Sequence, residues 1–405
     1  MPRRHAIAVF GAFAFAYFLS SLIRAITATL APTLVQEFAL NARDLGLLAG
    51  GYFLGFAATQ LPLGAWLDRL GPKRVELIFL IFAVLGCLAF ALASSFGMLL
   101  AARILCGVGV SACLMAPLTG YRRWYAPASQ MRANSWMLMV GASGMVASTL
   151  PVQWLLPLIG WRAIFGALAL MAALAMAWIA WQVPPWQSAS VPTTAHTHNA
   201  QQGYGQVWRN AYFRRLVPLG FFSFGGVVAM QTLWAAPWMV HVAQYSPLQA
   251  ATGMFWLNVA MLLSFWLWGL ANPWLTRRGI TVDHLLARGM PMSLIFIAIL
   301  VIAGDALGSA TAAIWAMYCA SSTVAALAQP AVGLAFPSAL AGRALSAYNL
   351  VIFSGVFTVQ WGVGLIIDGL RALGCSEVLA YQGATGCYAM CCIGAYVYFL
   401  RLKKP

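Results

Sequence analysis

Residues 64–74 read Gly64-Ala65-Trp66-Leu67-Asp68-Arg69-Leu70-Gly71-Pro72-Lys73-Arg74, a charged knot between two long apolar runs. Only 8% of the 405 residues are charged, so such a cluster is costly to place anywhere but at a membrane surface. Gly64 and Gly71 let the backbone turn and pack tightly there. The knot is the spacing small-x-x-x-Asp-Arg-x-Gly-x-Lys-Arg.

Composition agrees. The chain is 62% hydrophobic with a mean hydropathy of +0.82, far above the mix of a soluble globule. The solvent for these side chains must be lipid.

Hydropathy divides the chain into about twelve apolar runs of roughly 20 residues, the length a helix needs to cross the hydrocarbon. They lie near 7–31, 44–66, 75–96, 98–121, 132–156, 161–181, 215–240, 249–272, 285–303, 308–332, 343–367 and 379–400. Helices are expected, because lipid leaves every backbone group to be satisfied internally. The first run follows Met1-Pro2-Arg3-Arg4 without a processing site, so it reads as a permanent span and not a signal peptide.

Lys and Arg in the short loops set the orientation. With the N-terminus inside, the inner loops and tails carry Arg3, Arg4, Arg69, Lys73, Arg74, Arg122, Arg123, Arg132, Arg209, Arg214 and Arg215, then Arg277, Arg278, Arg288, Arg343, Arg401, Lys403 and Lys404. The outer loops carry Arg43, Arg162 and Arg371. That is 18 against 3, and an even number of spans puts both termini in the cytoplasm. The net charge of +15 is mostly an orientation device. Its scatter over many loops argues against nucleic acid as a partner.

Three features together resemble the major facilitator superfamily. Residues 64–74 resemble its cytoplasmic signature between spans 2 and 3. Arg103-Ile-Leu-Cys-Gly107-Val-Gly109 resembles its Arg-x-x-x-Gly-x-Gly motif in span 4. Gly160-Trp161-Arg162 resembles a common outer turn before span 6. Gly141-x-x-Gly144 falls short of the longer Gly/Pro-rich motif of the antiporters, which tilts against proton-driven drug efflux. The resemblance implies an all-α membrane protein of 12 transmembrane helices in two pseudo-symmetric six-helix bundles, with a site between them. On this chain the bundles are 1–181 and 215–405, joined by a cytoplasmic linker at 182–214.

The linker is too polar to span and too short for a domain, with room for one surface helix. Its His196-x-His198 pair has metal-ligand chemistry, but two histidines in a flexible segment are ordinary, and no metal or other cofactor is expected. A shift of 204 residues places Asp68 on Asn272 and Lys73-Arg74 on Arg277-Arg278. This weak echo of duplication has lost its acid, so a charged gate in the second half is expected to be weaker.

Functional residues are sought where lipid makes polarity costly. Interior charges cost about 2.5–3.5 kcal/mol on insertion scales and usually face a cavity. Arg24 lies slightly outward of the middle of span 1, and Arg103 in the outer part of span 4. Every Asp and Glu is placed near a membrane face: Glu37, Asp44, Asp305, Asp368 and Glu377 outside, and Asp68, Glu76 and Asp283 inside. The interior thus reads as two cations and no anion. A guanidinium cannot shed its proton, and its planar fork suits a carboxylate, phosphate or sulfonate. Arg24 is therefore read as an anion contact, against the plainer role of bonding backbone carbonyls or water. Arg24-Ala-Ile-Thr27-Ala-Thr29 also resembles the span-1 arginine of the family's organic-anion branches. For Arg103 a structural or coupling role is favoured.

Thr27, Tyr52, Gln231, Trp234, Asn258, Asn349, Gln360 and Trp361 complete a band of donors and aromatic walls. Each alone is more often helix–helix glue than a ligand contact. By pseudo-symmetry Gln231 is expected roughly opposite Arg24. Pro32, Pro62, Pro117, Pro151, Pro237 and Pro330 are hinge candidates, or plain helix ends. Gly64, Asp68, Arg69, Gly71, Lys73, Arg74, Arg103, Gly107 and Gly109 are assigned to gating or coupling.

Coupling is left open by the sequence. His5, His196, His198, His241 and His284 all lie at ends or in loops, so no interior histidine offers itself as a proton carrier. A proton remains a candidate coupling ion beside facilitated diffusion and exchange. Cys375 and Cys387 flank the start of span 12, where pairing is conceivable. No P-loop, nucleophile elbow, HExxH or paired interior carboxylates point to an enzyme. The expected function is alternating-access transport of a small organic anion, by one chain acting alone in a bacterial inner membrane. The competing readings are an exporter of apolar or cationic compounds, with Trp and Met lining a permissive pocket, and a receptor that no longer transports.

Overall fold

The chain is helical almost throughout, as apolar segments in lipid require. The computed structural model describes residues 3–186 and 199–402. The first helices are α1 (Arg3–Phe38), α2 (Ala42–Ala91), α3 (Phe96–Val110), α4 (Met115–Trp124), α5 (Pro127–Ala147) and α6 (Leu150–Gln182). Then come α7 (Asn199–Arg209), α8 (Ala211–Pro218), a π turn at Leu219–Phe224, α9 (Gly225–Ala229), a second π turn at Met230–Trp234 and α10 (Ala235–His241). α11 (Pro247–Arg277) and α12 (Val282–Ala303) lead through a 3-10 turn, Gly304–Ala310, into α13 (Thr311–Ser322). Another 3-10 turn, Thr323–Leu327, precedes α14 (Ala328–Leu334), α15 (Ser338–Ala372) and α16 (Glu377–Arg401).

Two compact units result. The first draws its described residues from Met1–Leu30 and Gly51–Val191, the second from Ala31–Gly50 and Pro192–Pro405.

Among the described residues, nine helical runs are long and apolar enough to cross a membrane. Two of them, Ala42–Ala91 with 50 residues and Val282–Leu334 with 53, measure about 75–80 Å at the helical rise, against a hydrocarbon layer of about 30 Å. Glycines with positive φ interrupt both: Gly71 at 77° in the first, Gly304 at 52° and Gly308 at 46° in the second. Large apolar side chains point outward, with Leu158 77%, Trp181 83% and Leu334 87% exposed. Apolar surface of that kind is stable only against lipid or a partner. The protein is a multi-pass integral membrane protein.

Helix α1 continues through Pro32 to Phe38, and α2 continues through Pro62, so neither proline ends its helix. Pro151 sits in the first turn of α6, where its missing N–H costs nothing. Pro117, Pro237 and Pro330 lie within α4, α10 and α14. Within 182–214, residues 199–209 form α7, and Val207 is buried in one cluster with Phe213, Leu216 and Phe399. His196 and His198 fall outside the described residues, as do Lys403 and Lys404. Cys375 and Cys387 are free thiols, so the conceivable pairing is not made.

Candidate functional site

The first unit builds its polar interior around Tyr52. The ring is fully buried on α2, and its hydroxyl donates to the Ser20 carbonyl on α1 at 3.3 Å. The Arg103 guanidinium of α3 lies over the ring at 5.1 Å from its centroid. Arg24 of α1 neighbours the Tyr52 hydroxyl and sits 5.6 Å from the Phe56 ring centroid. Aromatic faces carry negative potential, so each cation is held by a ring of α2.

The two arginines differ in what they bond. Arg103 is fully buried; its Nη1 donates to the Ile23 carbonyl at 2.9 Å, while its Nε and Nη2 have no hydrogen-bond partner among the described residues. It therefore ties down the backbone one residue before Arg24. Arg24 is only half-buried, and its Nε has no hydrogen-bond partner among the described residues. Thr27, one turn along α1, is buried with its hydroxyl likewise unpartnered. Thr29 is satisfied, donating to the Ser148 carbonyl at 2.7 Å.

Gly107 and Gly109 are packing residues. A Cβ on Gly107 would stand 1.9 Å from the Tyr52 carbonyl oxygen, and one on Gly109 2.1 Å from the Ala83 nitrogen. Their absence lets α3 seat directly on α2 and brings Arg103 to Tyr52.

At the charged knot, Gly71 adopts φ 77°, and the space a side chain would fill there is taken by Trp186. The Arg123 guanidinium covers that indole at 4.7 Å. Lys73 donates from Nζ to the Val183 carbonyl at 2.7 Å, fastening the turn to the end of α6. Asp68, Arg69 and Arg74 are exposed, with Arg122 the cation acting on Asp68. Gly64 departs from expectation: nothing lies within 4 Å of the Cβ it lacks, so it makes no tight packing.

In the second unit, Gln231 and Trp234 both fall in the π turn Met230–Trp234. Such widened turns re-aim side chains and recur at functional sites. Gln231 donates to Asn258 Oδ1 at 2.7 Å, and Asn258 in turn donates to the Met254 carbonyl at 2.8 Å. Trp234 donates to the Gln360 carbonyl at 3.0 Å, while the Gln360 amide donates to Thr232 at 2.9 Å. Four predicted residues thus form two bonded pairs, Gln231 with Asn258 and Trp234 with Gln360. Asn349 instead accepts from Gln329 at 2.5 Å, and Trp361 packs on Phe357 at 5.8 Å. Gln360 Oε1 and Trp361 Nε1 are enclosed and have no hydrogen-bond partner among the described residues.

One expectation fails outright. Glu76, placed by sequence near the inner face, is completely buried in the first unit, so the interior does hold a carboxyl. The signal was present: Glu76 shares a helical face with Leu80, Ala83, Cys87 and Phe90, all buried. The nearby Lys73-Arg74 pair made it look like part of a solvated loop. A second feature not anticipated is the buried pair Tyr318–Tyr388, whose hydroxyls bond at 2.7 Å.

Comparison with known proteins adds to this picture. The chain is 34% identical to a chloramphenicol resistance protein of Pseudomonas aeruginosa over 157 residues, 37% of this chain and 36% of that one. It is 31% identical to the hexuronate transporter of Escherichia coli K12 over 166 residues, 40% of this chain and 38% of that one. The matches thus span well under half the length of these curated relatives. The fold is like that of a crystallised D-xylose-proton symporter, with a TM-score of 0.81 at 14% identity over 99% of this chain and 98% of that one. The model of the Major Facilitator Superfamily matches residues 13–359. That match runs from α1 well into α15, and the chain belongs to the Major Facilitator Superfamily.

Proposed function

We propose that the protein is a transporter that carries a small organic anion across the membrane by alternating access, with Arg24 holding the anion. The observation that carries this reading is the contrast between the two interior arginines. Arg103 is fully buried and donates to the Ile23 carbonyl, whereas Arg24 is only half-buried and so has the more open side chain of the two. A held guanidinium that is partly open is suited to a carboxylate, phosphate or sulfonate. The likeness to a hexuronate transporter supports a carboxylate.

Thr27 and Tyr52 are the neighbouring contacts in the first unit. In the second unit, Gln231, Trp234, Asn258, Asn349, Gln360 and Trp361 supply hydrogen bonds and aromatic surface. Gly64, Asp68, Arg69, Gly71, Lys73 and Arg74 govern the conformational change, with Lys73 and Gly71 holding the end of α6. The arrangement proposed is twelve spans in two bundles, 1–181 and 215–405, joined at 182–214, with both termini cytoplasmic. The doubled length of two helical runs raises the nine to eleven, α5 with 21 residues would be the twelfth, and loop charge supports the orientation. A bacterial inner membrane is the proposed location, and one chain suffices.

A second reading, export of apolar compounds, is favoured by the likeness to a chloramphenicol resistance protein. Uptake of labelled D-glucuronate and of labelled chloramphenicol into proteoliposomes separates the two. Glucuronate uptake that is lost in Arg24→Gln supports the anion reading. Chloramphenicol movement indifferent to Arg24 supports the second.

A further inference from the structure

Glu76 takes no part in the anion site proposed above. It lies on α2, five residues past the break at Gly71, and is fully buried. Neither of its oxygens has a hydrogen-bond partner among the described residues. Its immediate neighbour Val75 and Phe79, one turn on, belong to a buried apolar cluster with Ala112 and Ala116.

The titratable groups that face it are few. The Cys113 thiol, between α3 and α4, is adjacent to it. The Tyr121 hydroxyl of α4 is within electrostatic reach and is itself buried with no hydrogen-bond partner among the described residues. On α1, Arg24 and Tyr17 also act on Cys113. The Cys113 thiol is thus within electrostatic reach of both the carboxyl and the arginine.

An ionised carboxylate in this position would lack both water and a paired cation, which a buried charge needs. We infer that Glu76 is a proton-binding site whose occupancy is linked to anion binding at Arg24; the linkage, though not the site, rests on the transport reading above. A proton from water on one side joins a carboxylate oxygen to give the neutral acid, and leaves from the same oxygen to water on the other side. No other bond changes. The neutral acid fits the closed packing, and the carboxylate favours a conformation that lets water reach it. Protonation also removes a negative charge whose field, like that of Arg24, reaches Cys113, so proton and anion strengthen each other's binding.

Infrared spectroscopy of the reconstituted full-length protein, labelled with carboxyl-¹³C glutamate, tests the site. The chain has only three glutamates, Glu37, Glu76 and Glu377. The wild type at neutral pH is expected to show the carbonyl band of a protonated, labelled carboxyl, absent from Glu76→Gln. The double variant Glu37→Gln/Glu377→Gln leaves Glu76 as the only labelled carboxyl and must keep the band. Only carboxylate bands in that variant would overturn the site.

The linkage is read with a pH-sensitive dye in vesicles, using D-glucuronate as the probe. Proton uptake should accompany anion entry in the wild type and fall at least tenfold in Glu76→Gln. Anion entry without proton uptake overturns the linkage. A wild type that binds no glucuronate contradicts the anion reading instead, while the infrared band still decides the proton site.

Discussion

Arg103 of α3 donates to the carbonyl of Ile23 on α1 at 2.9 Å, so a buried cation fixes the backbone next to Arg24. The bond explains how one arginine serves the other. Arg103, fully enclosed, holds a helix, and Arg24 is left with a defined position and a partly open side chain.

Removing this brace should cost stability and aim together. Arg103→Leu is expected to lose about 1.5–3 kcal/mol from the charged hydrogen bond, before any repacking. Its melting temperature should fall and its anion affinity weaken, because Ile23 and Arg24 are no longer held. Differential scanning fluorimetry with and without anion measures both.

The helix contact at Tyr52 depends on a missing side chain. Gly107→Val places a Cβ 1.9 Å from the Tyr52 carbonyl oxygen, an overpacking expected to cost about 1–3 kcal/mol. Gly64→Ala meets open space and should stay within about 0.5 kcal/mol of the wild type. Thermal unfolding of the two variants side by side checks the contrast.

At the charged turn, Lys73→Met removes the bond to the Val183 carbonyl and Asp68→Asn removes the carboxylate. Both are expected to change the maximal transport rate more than threefold while KM shifts by less than about twofold, the pattern of an altered conformational step. Initial rates across substrate concentrations in proteoliposomes provide the test. A KM that moves as far as the rate would place these residues in binding instead.

Charge alone should not satisfy the anion. Arg24→Lys keeps the charge but loses the planar fork, and is expected to bind at least tenfold more weakly, about 1.4 kcal/mol. Isothermal titration against D-glucuronate reads this directly.

Much of the architecture was legible because lipid imposes a simple rule. Long apolar runs, the Asp68 knot and the arginine-rich loops each follow from the cost of polar groups in hydrocarbon. The polar residues singled out in the second half do bond to one another, Gln231 to Asn258 and Trp234 to Gln360, pairings the sequence did not indicate. What the sequence concealed was depth. Glu76 follows two basic residues, and hydropathy averages it into their loop, although helix periodicity aligns it with buried Ala83 and Cys87. The π turn at Met230–Trp234 was equally hidden, since no local residue demands an extra residue in a helical turn. The packing role of Gly107 could be read only once its neighbour across the interface, Tyr52, was known.

The central claim is that Arg24 holds an anion. Its most direct test is thermal unfolding of the purified wild type and Arg24→Gln against D-glucuronate, a lipophilic cation and a neutral sugar. Ligand at a hundredfold excess over its Kd stabilises the folded state by about 2.7 kcal/mol. The account predicts that only the anion raises the wild type's melting temperature, and that the variant, melting normally on its own, gives no response. An equal anion response in the variant, or stabilisation by the cation in both proteins, would contradict it.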